Sequence, residues 1–251
     1  MMFEGKVALI TGASSGIGHA TAIAFAREGA SIAVNYLKNE AGGQSAADAI
    51  RKVGQQALTV KADVTQAADV RKMVQDTLDR LGRIDILVNN AGDLVERRKL
   101  EEVDEAYWDY VMALNLKSVY LCTQAVWKHM ADRGDGVIIN VSSIAGRNGG
   151  GADAGVYAAA KGGLITYTKS LASGLTQYGI RVNGINPGLI ATPFHQRLTS
   201  PEQMDKLVSA IPMKRAGTPE EIADVIVFLA SPAARYMVGE TVEVNGGKLM
   251  D

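Results

Sequence analysis

Tyr157 and Lys161 stand four positions apart in Tyr157-Ala158-Ala159-Ala160-Lys161. On a helix that spacing puts both side chains on one face, one turn apart. A phenol transfers protons poorly at neutral pH because its pKa is about 10. A cation about 4 Å away contributes roughly 4 kcal/mol at intermediate dielectric, or about three pKa units. Lys161 would therefore draw Tyr157 toward neutral pH as a general acid/base. The pair follows Ser142-Ser143 and a glycine-rich loop, and small alanines fill its gap. That context predicts a tight active-site wall rather than a solvated helix face. A second candidate lies near the N-terminus, in Thr11-Gly12-Ala13-Ser14-Ser15-Gly16-Ile17-Gly18. Glycines there permit a tight turn and close approach of a phosphate, and a helix starting at such a turn offers free N–H groups and the positive end of its dipole. The turn lacks the Gly-Lys-Ser/Thr ending of a P-loop, which argues against an NTPase.

The elements that must carry these residues alternate strand and helix. Predicted strands cover Val7–Thr11, Ser31–Asn35, Ala57–Lys61, Ile84–Asn89, Gly136–Val141, Ile180–Asn186 and Glu240–Val244. Between them, helical spacing runs over Ile17–Glu28, Ala46–Val53, Val70–Leu81, Ala106–Met130, Val156–Gln177 and Pro219–Ala230. This order predicts an α/β, doubly wound Rossmann fold: a parallel sheet of about seven strands with helices on both faces. Nothing divides the chain, so residues 1–251 read as one domain. The irregular segment Pro187 to Thr218 would follow a strand's carboxyl end, where ligands bind in such folds. It reads as a substrate-covering lobe, with a surface loop and short helix as the plainer reading. His195 in it either touches substrate or is simply exposed. Asp63, ending the third strand, either accepts from an adenine amino group or caps the next helix. Asn89-Asn90-Ala91-Gly92 ends the fourth strand, where two amides would tie strand ends together and leave room for a ribose.

Composition narrows the classes. The 251 residues are 47% hydrophobic and 21% charged with a formal net charge of -1, which gives no field favouring nucleic acid or an anionic membrane. The single cysteine, Cys122, excludes an intrachain disulfide. No signal-peptide or membrane-spanning pattern and no metal-ligand spacing occurs, so the expectation is a cytoplasmic protein without a metal. Glu96-Arg97-Arg98-Lys99 either borders a substrate entrance or forms a solvated loop.

Taken in order, Thr-Gly-x-x-x-Gly-Ile-Gly, Asn-Asn-Ala-Gly, Ser, Tyr-x-x-x-Lys and Asn-Pro-Gly resemble the short-chain dehydrogenase/reductase family from Lys6 to Gly247. The nearest groups within it are 3-oxoacyl-acyl-carrier-protein reductases and bacterial glucose dehydrogenases. The resemblance implies hydride transfer between NAD(P) and a carbonyl or secondary alcohol, with a 3-oxoacyl thioester, a sugar or another small ketone or alcohol as substrate. It places Gly12, Ser14, Gly16, Ile17 and Gly18 around pyrophosphate and ribose, with Ser15 beside them in the same turn. It puts Asp63 and Val64 at adenine, Asn89, Ala91 and Gly92 at the adenosine ribose, and Pro187, Gly188, Ile190 and Thr192 at the nicotinamide. Asn115 matches an asparagine that anchors a relay water, Ser143 a serine that polarises the carbonyl, Tyr157 the acid/base and Lys161 the residue that holds the nicotinamide ribose. Departures are Ser15, where carrier-protein reductases often have arginine, and Ser173, where they usually have a basic residue. The 14 positions from Ser143 to Tyr157 are one more than usual, with Ser142 as the alternative serine, one position farther. The resemblance also implies a homotetramer paired through the helices that hold Trp108 to Met130 and Val156 to Tyr178.

Cofactor choice rests on the second strand, Ile32-Ala33-Val34-Asn35-Tyr36-Leu37-Lys38. An NAD-preferring fold usually ends this strand in Asp or Glu, and none occurs before Glu40. With Asn35 neutral, Tyr36 beside it and Lys38 available as a point charge, the expectation is NADP with measurable use of NAD. The rivals are a non-catalytic dinucleotide sensor, which has no need of Asn115, Ser143, Tyr157 and Lys161 together, and a methyltransferase, which has no role for Tyr-x-x-x-Lys.

Overall fold

The computed structural model describes residues 1–250, with side chains throughout except those of His195 and Gln196. The expectation for His195 therefore lies outside the described residues. Seven strands form one sheet: β1 (Val7–Ile10), β2 (Ser31–Tyr36), β3 (Ala57–Lys61), β4 (Ile86–Asn89), β5 (Gly136–Val141), β6 (Ile180–Pro187) and β7 (Thr241–Val244). Their order is β3-β2-β1-β4-β5-β6-β7, and every pairing is parallel. The central strands are buried on both faces, as a sheet covered by crossover helices requires. Their side chains alternate between two cores. Ala8, Ile10, Ile32, Val34 and Ile139 pack with Phe25 of α1 (Gly16–Arg27), Ile50 of α2 (Glu40–Lys52) and Ile226 of α10 (Pro219–Ala230). Leu9, Ala33, Leu87 and Ile138 face Met73 of α3 (Ala67–Leu81), Val126 and Met130 of α5 (Ser118–Ala131) and Ala172 of α7 (Gly155–Leu175).

Three segments depart from the pattern read in the sequence. α2 starts at Glu40, six residues before the predicted Ala46, because Asn39 Oδ1 accepts from Gly42 N–H at 3.0 Å and caps a helix that runs through Gly42-Gly43. The stretch Ala106–Met130 is not one α-helix. It divides into α4 (Glu105–Met112), a π-helical turn (Ala113–Lys117) and α5, and such turns recur at functional sites. The segment 187–218 contains α8 (Pro193–Leu198) and α9 (Pro201–Ser209), the latter opened by a capping box between Ser200 and Gln203. The glycine loop between Ser143 and Tyr157 follows a single turn, α6 (Ala145–Asn148), and Gly149, Gly150 and Gly151 all have positive φ. No described helix is long and apolar enough to cross a membrane.

Candidate active site

The strand order reverses between β1 and β4, and a cleft of about 480 Å³ opens over their carboxyl ends, where ligands bind in open α/β sheets. Its floor is the turn after β1, which side chains fasten from several directions. Thr11 Oγ1 accepts from the N–H groups of Asn90 (2.9 Å) and Ala91 (3.0 Å). Asn90 Nδ2 donates to the carbonyls of Thr11 (2.9 Å) and Gly12 (3.2 Å). Asn35 Oδ1 accepts from Gly12 N–H at 3.1 Å, and Asn39 Nδ2 donates to the Ser14 carbonyl at 3.1 Å. Gly12 has φ +63°, and a Cβ on Gly18 would lie 2.5 Å from Asn90 Nδ2 and from the Gly12 carbonyl oxygen. Only glycine fits at either position. α1 starts at Gly16 with Ser15 as its N-cap, and the Ser15 hydroxyl caps no backbone N–H. That leaves a hydroxyl and helix N–H groups facing the cleft for a phosphate.

At the other end of the same cleft stand Ser143, Tyr157 and Lys161. Lys161 is buried and donates from Nζ to the Val141 carbonyl at 2.8 Å. Its Nζ lies 5.7 Å from the centre of the Tyr157 ring. Burial lowers the Lys161 pKa to about 8 and raises that of Tyr157 to about 12, where hydrogen bonding to Ser143 pulls it down and the Asp93 charge pushes it up. Desolvation is the largest influence on Tyr157, and the Lys161 charge is not among those that shift it. The two adjacent serines differ in their placement. Ser142 is buried and its hydroxyl donates to the Lys161 carbonyl at 2.8 Å, whereas Ser143 is half-buried and close to the phenol.

Asn115, in the π turn, is fully buried and saturated. Its Nδ2 donates to the carbonyls of Asp93 (2.7 Å) and Val111 (2.9 Å), and its Oδ1 accepts from Asp93 N–H at 3.1 Å. Its amide therefore clamps the loop after β4, and its side chain has no free donor for a water. That loop carries Val95 at φ +70°.

Of the expected cofactor residues, Gly12, Ser14, Ser15, Gly16, Ile17, Lys38, Ala91, Gly92, Pro187, Gly188, Ile190 and Thr192 line the cleft with Tyr157 and Lys161. Gly18 lies beneath it. Asn35, Tyr36, Asp63, Val64 and Asn89 do not line it, nor does Asn115, expected at the proton relay. Asn35 is buried, and its Nδ2 donates to the carbonyls of Val60 (3.3 Å) and Ala62 (3.1 Å), so it braces β2 against β3 instead of facing a ribose. β2 extends one residue beyond the predicted end, which turns Tyr36 inward against Gly43 and presents Leu37, Lys38 and Asn39 instead. Asp63 Oδ1 accepts from Thr65 N–H and hydroxyl in a turn before α3. Asn89 donates at 2.9 Å to Asn140, which donates at 3.0 Å to Thr168 on α7. Asn90 ties the strand ends together as its motif suggested. Sequence reasoning missed Asp93, Phe194 and Arg197 as lining residues, and Arg197 carried no local signal. The Arg97-Arg98 run is not freely solvated: Arg97 bonds Asp153 and the Leu198 carbonyl, and Arg98 lies 4.5 Å over the Tyr107 ring.

Residues 12–248 match the family model described as Enoyl-(Acyl carrier protein) reductase. A 3-oxoacyl-acyl-carrier-protein reductase of Synechocystis sp. is 43% identical over 250 residues, covering 98% of this chain and 97% of that protein. One from Staphylococcus epidermidis is 38% identical over 245 residues, covering 98% and 99%. Among solved structures, levodione reductase superposes with a TM-score of 0.93 at 36% identity, covering 98% of each chain.

Proposed function

The chain belongs to the short-chain dehydrogenase/reductase family of oxidoreductases, and from that premise we propose that it reduces the ketone of a 3-oxoacyl thioester with NADPH, Tyr157 giving the proton. The observation that carries this reading is the meeting of Ser143, Tyr157 and Lys161 with the glycine-rich turn in one cleft at the sheet's carboxyl edge. The floor fits a dinucleotide: uncapped Ser15, free helix N–H groups, and a glycine cradle that any Cβ would fill. Bound there, the reduced nicotinamide supplies the hydride. Ser143 would hydrogen-bond the substrate carbonyl and hold it toward the phenol. Tyr157, beside Ser143 in the cleft, would give its proton to the developing alkoxide. Lys161, fixed by Val141 and Ser142, would hold the nicotinamide ribose. The 3-oxoacyl thioester is supported by the names of the relatives.

The corner formed by Leu37, Lys38 and Asn39 holds no carboxylate, which favours a 2′-phosphate over rejection of it. Trp108 and Tyr120 are exposed, Tyr120 lining a groove between the π turn and α7, and a homotetramer would cover them. Tyr157→Phe tests the chemistry. The variant should bind NADPH as wild type does, by fluorescence titration, and lose about 10²- to 10⁴-fold in turnover. Wild-type rates would remove the tyrosine from the mechanism and favour a different proton donor.

A further inference from the structure

We propose that Arg197, oriented by Asp93, selects substrates that carry a second, uncharged carbonyl beside the ketone being reduced; this rests on the reductase reading above. Both side chains line the cleft that holds Ser143, Tyr157 and Lys161. Asp93 immediately follows Gly92, and both sides of its peptide are held by the Asn115 amide. Its Oδ1 also accepts from Val95 N–H at 3.0 Å, across a turn that leaves Val95 in a conformation β-branched residues rarely adopt. The carboxylate is thus fixed from the backbone outward, near enough for its charge to oppose ionisation of Tyr157.

Arg197 reaches this carboxylate from α8, with Nη2 2.6 Å from Oδ1 and 2.7 Å from Oδ2. On α8 it lies three positions after Phe194, whose ring centre is 6.3 Å from that of Tyr157, so both belong to the side of the helix that covers the tyrosine. Among the described residues the guanidinium makes contact only through Nη2. Of the five guanidinium N–H groups, the three on Nε and Nη1 remain for a ligand. Hydrogen bonds from a charged donor are the stronger kind, and a second carbonyl oxygen near the reacting ketone is an acceptor matched to them. Asp93 sets the sign of the selection. It already neutralises Arg197, so a substrate carboxylate meets a fixed negative charge, whereas a neutral ester, thioester or ketone oxygen takes the free N–H groups without displacing it.

The test compares kcat/KM at saturating NADPH for ethyl acetoacetate, methyl propyl ketone and acetoacetate in wild type, Arg197→Met and Asp93→Asn. Arg197→Met should lower the ratio of ester to simple ketone about tenfold or more. Asp93→Asn should raise the ratio of acetoacetate to its ethyl ester by a similar factor. NADPH titration of each variant reports whether the cofactor half is intact. An ester-to-ketone ratio unchanged in Arg197→Met would overturn the proposal and leave the arginine as a fastening of α8. So would an Asp93→Asn variant that still discriminates against acetoacetate as wild type does. Those failures leave the reductase reading standing; a wild type that reduces none of the ketones defeats that reading and this proposal together.

Discussion

Replacing Gly92 with alanine adds one methyl group at the junction of the two halves of the site. The new Cβ would lie 2.7 Å from Asn115 Oδ1 and 3.1 Å from Lys161 Nζ. Neither neighbour is a loose side-chain end. Asn115 is held by Asp93 and Val111, and Lys161 by the Val141 carbonyl. Overpacking of this kind costs about 1–3 kcal/mol, and each buried hydrogen bond stretched to relieve it adds about 1 kcal/mol. The sum is about 2–4 kcal/mol, which for a chain of this size lowers Tm by about 5–15 °C. Displacement of Lys161 and of the Asp93 loop should also lower kcat about tenfold to a hundredfold, since small misplacements of catalytic groups are costly. Calorimetry and initial rates on purified protein measure both. Gly174→Ala is the control: it lies in α7 with nothing near its Cβ position and should stabilise by about 0.5–1 kcal/mol. A Gly92→Ala protein that melts within about 2 °C of wild type and turns over normally would refute the argument from space.

Lys161→Met should change the pH dependence of stability. The unfolded chain keeps this proton up to the usual 10.5, whereas the folded chain releases it near 8. Between those values the unfolded state binds more protons, so wild-type stability gains about 3 kcal/mol on the variant as pH rises; parallel denaturation profiles from pH 7.5 to 10.5 would show that the burial penalty is absent. Lys38→Ala should raise KM for NADPH more than for NADH, and a wild type strongly preferring NADH would mean that the missing carboxylate at the end of β2 was misread. Light scattering at micromolar concentration should give the mass of a tetramer, and a monomer would show that the exposed aromatics of α4 and α5 have no partner copy.

The alternation of strand and helix was legible because each buried strand here is a short apolar run bounded by turn residues, and helix starts such as Thr218-Pro219 carry their own signals. Errors arose where a contact remote in sequence decided the outcome. The predicted helix began only at Ala46, but Gly43 lets Tyr36 pack close and Gly42 makes room for Asn39 and Ser14, so α2 runs through both. The π turn left no trace in apolar spacing. In the site, Tyr157, Lys161 and the glycine turn were legible from local spacing. The saturation of Asn35 depends on carbonyls in and just after β3, 25 and 27 positions away, and no window of sequence contains that. Arg197 was invisible for the same reason, since its partner lies 104 positions earlier.

The turn after β1 is fastened by three carboxamides, Asn35 in β2, Asn39 before α2 and Asn90 just after β4. None of these groups titrates. The proposed phosphate seat is therefore held by contacts that do not change with pH. An acid or alkaline limb in the rate would then point away from these three amides, toward ionisable side chains elsewhere in the cleft or toward the ligands themselves. On the proposed reading, the shape of the phosphate seat and the movement of the proton rest on chemically different classes of side chain, so acidity would adjust the second without reshaping the first.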